Sequence, residues 1–90
     1  MGLKDSKQLL QDLEELKSKV KVGDKYSHYK YPDNLYTIIS LGFIEASEES
    51  CVVYQAEYGD KLVWVRTEKE FFSKAKLGNG KEVARFTKVG

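Results

Sequence analysis

Residues 51–66 read CVVYQAEYGDKLVWVR, and the reading of this stretch decides the fold. From Cys51 to Tyr58 the chain is extended, with Val52, Tyr54, Ala56 and Tyr58 on one face. Tyr54 therefore reads as a core ring with its hydroxyl near an edge. Gly59-Asp60 is a turn signal. Residues 61–66 then return as a second strand. Here Trp64 and Arg66 share a face with Leu62, and Val63 and Val65 take the other. The two valines are assigned to the core and the Trp64–Arg66 side to the surface.

The flanking segments continue in the same style. After Gly23, extended runs at 25–31, 35–45, 51–58, 61–66 and 82–88 are separated by turn signals. Pro32-Asp33-Asn34 is the expected turn between the first two. Gly42 marks a bulge or sharp bend in the second. Ser47 to Ser50 is a polar turn, Glu68 to Phe72 a short helical turn, and Gly78-Asn79-Gly80 a loop. A mainly β domain is expected, with residues 23–90 forming a small, bent, five-stranded barrel.

Residues 1–22 carry a different period. Leu9, Leu10, Leu13, Leu16 and Val20 recur at helical spacing and predict an amphipathic helix over residues 5–20. Asp5 caps its start, and Gln8 completes a pair resembling a capping box. Lys17, Lys19 and Lys21 suit the C-terminal end, and Gly23 stops the helix. So short a helix needs a partner for its apolar stripe. Either it packs on its own barrel, or Leu9, Leu13, Leu16 and Val20, at 4-3-4 spacing, make a homodimer through a second copy.

Composition narrows the function. The net charge of +1 gives no global basic field for nucleic acid. Charge is segregated all the same: residues 45–60 hold five acids and no Lys or Arg, and residues 74–88 are basic apart from Glu82. Two strands that pair and cancel are the cheaper explanation, and two opposed patches the other. One cysteine, Cys51, excludes an internal disulfide, leaves no metal scaffold and reads as a buried thiol. No apolar run approaches the roughly 20 residues of a membrane helix. A cytoplasmic protein without cofactor, metal or membrane partner is expected. Gly2 and Ser6 fit the short N-myristoylation pattern, which is frequent by chance.

The order of short words along the chain carries a resemblance. Tyr26-Ser27-His28-Tyr29-Lys30 comes first, then Val52-Val53-Tyr54, Tyr58-Gly59-Asp60, Trp64-Val65-Arg66, a following Phe and Arg85-Phe86. From about Gly23 to Phe86 this order resembles the bacterial family called domain of unknown function 1653. The resemblance implies a Src-homology-3-like barrel and brings no assigned activity with it. Two stretches depart from the family's pattern. Thr67 stands where a Pro usually follows Trp-Val-Arg, and Gly42 to Ser47 replaces a word usually containing Arg or His.

The candidate chemistry is aromatic and basic. Tyr26, His28 and Lys30 share a face by alternation, and with Trp64, Arg66 and Arg85 they are the candidate binding residues. Arg66 is either an anchor for a carboxylate, phosphate or aromatic partner, or a structural partner of an acid such as Glu57 or Glu68. Arg85 has the same two readings, with Phe86 on the core side. His28, the only histidine, could serve as a general acid or base, although a lone histidine more often makes a structural hydrogen bond. No catalytic residue is assigned. The expectation is a non-enzymatic binding or adaptor module for a protein or peptide; Glu45, Glu48 and Glu49 beside aromatics would suit proline-rich peptides. The first alternative is RNA or single-stranded DNA binding through Lys30, Arg66, Lys74, Lys76, Arg85 and Lys88 with Tyr26 and Trp64. The second is a small enzyme using His28.

Overall fold

The fold starts from the helix, whose stripe is partly spent on a sheet. The computed structural model describes residues 4–90, so the Gly2 of the acylation pattern lies outside the described residues. Helix α1 spans Ser6–Lys19. Asp5 caps it, accepting from the Gln8 N–H at 2.9 Å, whereas the Gln8 side chain turns to Asp12, so only half of a capping box forms. The helix ends at Lys19, before Gly23. Val20 leaves it in an extended conformation because its side chain enters the core, where it is 1% exposed. Gly23 serves the next turn at φ +96° and donates its N–H to the Ile38 carbonyl. Leu16 is fully buried, Leu9 and Leu13 are half-buried and Leu10 faces solvent.

Seven strands follow, two more than expected. They are β1 Lys25–His28, β2 Tyr31–Phe43, β3 Ser50–Ala56, β4 Val63–Thr67, β5 Lys74–Lys76, β6 Glu82–Ala84 and β7 Phe86–Val89; a single helical turn, α2 Glu68–Phe71, follows β4. One antiparallel sheet has the order β4-β3-β2-β1-β7, and β5 and β6 form a separate hairpin. The expected last strand is thus two, broken at Arg85. Arg85 ties this break to the chain before β5, through its own N–H to the Ser73 carbonyl and its Nε to the Ser73 hydroxyl.

The first hairpin turns earlier than the Pro32-Asp33-Asn34 signal predicts. His28 pairs with Tyr31, leaving Tyr29 and Lys30 as the connection. Ser27 already pairs with Leu35, so Pro32, Asp33 and Asn34 form a bulge inside β2. The proline is tolerated there because β2 has no β3 partner before Tyr36, so its missing N–H breaks no ladder bond on that side. The second irregularity of β2 lies at Ile39, between Ile38 and Ser40; Gly42 pairs regularly with Cys51.

The core joins Leu16 and Val20 of α1 to Tyr26, Ile38, Val52, Tyr54, Phe71 and Phe86. Phe71 and Phe86 stack at 4.4 Å, and Tyr26 meets Phe71 edge-on at 5.1 Å. Tyr26 is therefore core, not part of an exposed face. Cys51 is buried, and burial pushes its thiol up. The valine assignment on β4 is also reversed. Trp64 pairs with Tyr54 and Arg66 with Val52, so these two share the core-facing side of the sheet. Val63 and Val65 point outward and are 52% and 51% exposed. Alternation shows which residues share a face; the cross-strand partners show which face is inside.

Acidic and basic segments do not pair as strands. β3 runs between β2 and β4, while β5 and β6 pair with each other. Glu57 binds Lys25, and Lys88 lies 3.9 Å from Asp24.

Candidate functional site

All five strands of the main sheet contribute to a cleft of about 210 Å³ on its core-facing side. Tyr36 and Tyr54, from β2 and β3, meet edge-to-face at 5.4 Å. Phe86 of β7 and His28 of β1 stand together, also edge-to-face, at 5.0 Å. Trp64 and Arg66 come from β4, Lys30 and Tyr31 from the first hairpin, and Tyr58 from the loop after β3.

Arg66 is the charge at the centre. Its Nε donates to the Tyr54 hydroxyl at 3.0 Å, and its guanidinium lies 5.7 Å from the Phe86 ring centre. Among the described residues it has no carboxylate within ion-pair distance, so the expected partnership with Glu57 or Glu68 does not form. Glu57 is held by Lys25 and Thr37, and Glu68 by Lys19 and Ser50. No acid lines the cleft among the described residues. The site thus offers a half-buried guanidinium with four N–H donors besides the one given to Tyr54, and no carboxylate within ion-pair distance among the described residues.

The other polar groups are arranged around it. His28 Nδ1 accepts from the Lys30 backbone N–H at 3.2 Å, which leaves Nε2 as the protonated nitrogen of the neutral ring. Burial, and then the charges of Arg66, Arg85 and Lys30, hold the imidazole below its ordinary value. Tyr36 and Tyr58 share a hydroxyl–hydroxyl hydrogen bond, and burial followed by that bond pushes the Tyr36 phenol up. Burial also raises Tyr54, with Arg66 opposing it. Raised in this way, Tyr36 and Tyr54 are neutral donors and acceptors at neutral pH.

Of the sequence candidates, the fold brings His28, Lys30, Trp64 and Arg66 together. Tyr26 lies in the core, and Arg85 is bound to Ser73 and set over Tyr29, outside the cleft lining although its charge acts on His28. Tyr31, Tyr36 and Tyr58 join the site unforeseen. Tyr58 stood in one of the aromatic words, but only the fold shows that its hydroxyl reaches Tyr36.

A larger cleft of about 310 Å³ separates α1 from the end of β4 and α2. Two ion pairs lie along it, Lys4 with Asp12 at 2.9 Å and Lys19 with Glu68 at 2.7 Å. Thr67 lies at its margin and caps α2 in a full capping box with Glu70. Among the described residues no group of three His, Cys, Asp or Glu could hold a metal, and no helix is long and apolar enough to cross a membrane.

Fold and site together define a small antiparallel β protein with an N-terminal helix and an aromatic, cationic cleft. The chain belongs to the family described as protein of unknown function (DUF1653), whose model matches residues 24–88. It is similar to a crystal structure of a DUF1653 protein from Bordetella bronchiseptica, with 25% identity and a TM-score of 0.65, covering 81% of this chain and 91% of that one. A search of curated proteins finds no match.

Proposed function

We propose that the protein is a non-enzymatic binding or adaptor module whose aromatic cleft receives an anionic group of a protein or peptide partner. One observation carries this reading: Arg66 sits half-buried among aromatic rings with no carboxylate to pair with. With no carboxylate within ion-pair distance among the described residues, this guanidinium is available to the anion of a ligand. Lys30 adds a second positive charge at the same cleft.

The fold detail belongs to the same proposal. The curled sheet is an open Src-homology-3-like barrel, with β4 and β7 as outer strands that are not hydrogen-bonded to each other. The Arg66–Phe86 contact between those two strands supports it. The single buried thiol of Cys51 suits a cytoplasmic setting. A homodimer through α1 would use Leu10, 62% exposed, since Leu16 and Val20 are committed to the core.

Nucleic acid is the second reading, because the exposed rings of Trp64 and Tyr31 stand beside Lys30 and Arg66. Capture of partners by wild type and by Arg66→Gln, at matched thermal stability, separates the two. Peptides or proteins held by wild type and lost by the variant are the expected result. Capture of RNA or DNA instead, released steeply by salt, would transfer the assignment to nucleic acid. Equal capture by both proteins would remove the cleft from the function.

A further inference from the structure

We infer that the free edge of β4 takes an extended peptide as an added strand, with an acidic side chain of that peptide set against Arg66. The inference rests on the binding reading above and adds to it a mode and a ligand class.

The backbone pattern identifies the free groups. Ala56 donates its N–H to the Leu62 carbonyl at 3.0 Å. In an antiparallel ladder the bonded pairs alternate, so with the register Gln55–Val63 and Tyr54–Trp64 the residues bonded to β3 are Leu62, Trp64 and Arg66. The N–H and C=O groups of Val63 and Val65 therefore point away from β3. β4 is an outer strand of the sheet, so no neighbouring strand receives them. Thr67 faces the same way, and the Glu70 carboxylate approaches its N–H at 3.4 Å.

The edge is only partly protected. Its register with β3 is unbroken by a bulge and it holds no proline; Arg66 is its one charged residue and lies on the cleft side. Val63, Trp64 and Val65 are each about half exposed. At the other outer strand, β7, Lys88 interrupts the row.

Charge selects the occupant. A strand added beside β4 places alternate side chains about 5 Å from Trp64 and Arg66 on the cleft side. An Asp or Glu there meets a guanidinium that has no acid of its own, with Lys30 in the same cleft. An apolar neighbour covers the outer valines. A second copy of β4 would bring another arginine and no carboxylate, since Val63 to Thr67 contains no acid. A nucleic acid cannot use the alternating N–H and C=O ladder.

The test uses the full chain and Trp64, the only tryptophan, as an intrinsic fluorescent reporter. The probe is acetyl-Thr-Val-Glu-Val-Thr-Val-amide, compared with its Gln analogue and with two N-methylated versions, one methylated at odd amides and one at even amides. The wild type is expected to bind the Glu peptide at least about tenfold more tightly than the Gln peptide, and Arg66→Gln to lose that preference. One N-methylated series should lose binding while the other keeps it, because only alternate amides face β4. Hydrogen exchange at Val63 and Val65 should slow on binding, with Trp64 unchanged. Equal binding by both N-methylated series would overturn strand addition and leave the anion cleft standing. Absence of peptide binding would also overturn it, while capture by wild type and not by Arg66→Gln would still uphold the cleft. A peptide-free dimer with protected Val63 and Val65 would make the occupant a second copy and overturn the inference. So would an oligonucleotide that changes Trp64 emission where the peptides do not.

Discussion

Arg66 donates from Nε to the Tyr54 hydroxyl at 3.0 Å, across the pair of strands that the opening stretch of sequence joins in one hairpin. The bond turns a core tyrosine into the support of a cation that lines the cleft. Tyr54 is nearly fully buried and in turn packs against Phe71 and Phe86. Position of the charge and integrity of the core are thus linked.

Tyr54→Phe keeps the ring and removes the acceptor. The expected loss is about 1 kcal/mol, typical of one intramolecular hydrogen bond. Arg66 would then be less well placed, so binding should fall by more than stability does. Chemical denaturation and a partner titration on the same variant check this. Unchanged affinity would show that Tyr54 does not position Arg66.

Arg66→Ala removes the same bond and the contact with Phe86. A cost of about 1–2 kcal/mol is expected from the two together. The fold should survive, as judged by a cooperative thermal melt. Arg66→Lys should recover part of the stability and little of the binding, because an ammonium cannot reproduce the planar fork.

Stability should fall with pH through His28. Its folded-state value lies below the ordinary 6.5, chiefly through burial and then through Arg66, Arg85 and Lys30. The unfolded chain therefore binds the proton first. Stability is full above about 6.5 and is lost as pH falls from there toward the folded value, below which the loss stops growing. His28→Gln should flatten this part of the profile between about pH 7.5 and 5.5. Glu57 and Asp12, whose values are lowered by their lysine partners, act at more acidic pH and should be unaffected. Identical slopes in both proteins over that window would contradict the assignment.

Burial, not hydrophobicity, should rank the aliphatic positions. Leu16→Ala and Ile38→Ala, both at fully buried residues, should each cost about 2–5 kcal/mol. Leu10→Ala and the pair Val63→Thr with Val65→Thr, on exposed positions, should stay within about 0.5 kcal/mol per site. Urea midpoints across the set provide the measurement. A large loss at Val63 or Val65 would mean that this edge is covered in solution.

The helix, the β3–β4 hairpin, the helical turn at α2 and the glycine loop at Gly78 to Gly80 were legible in the chain. Each is set by neighbours in sequence: a 3.6-residue stripe, a two-residue alternation, a turn signal or a cap. β5 was not legible, because three residues are too few to display a period. The Pro32-Asp33-Asn34 signal correctly marked irregular backbone, yet whether it makes the turn or a bulge beside it depends on which residues of β1 pair across.

The local pattern by itself determined which residues share a face: Trp64 with Arg66, Val63 with Val65, Tyr54 with Val52. Only the tertiary structure decided which of those faces is inside. That choice rests on long-range pairing, where Arg66 lands opposite buried Val52 and Trp64 opposite buried Tyr54. The same pairing draws His28, Tyr36 and Phe86, far apart in the chain, around one arginine, and sends Tyr26 and Arg85 elsewhere. Alternation has the same period on both sides of a strand, so it carries no information about the side on which the rest of the chain will pack.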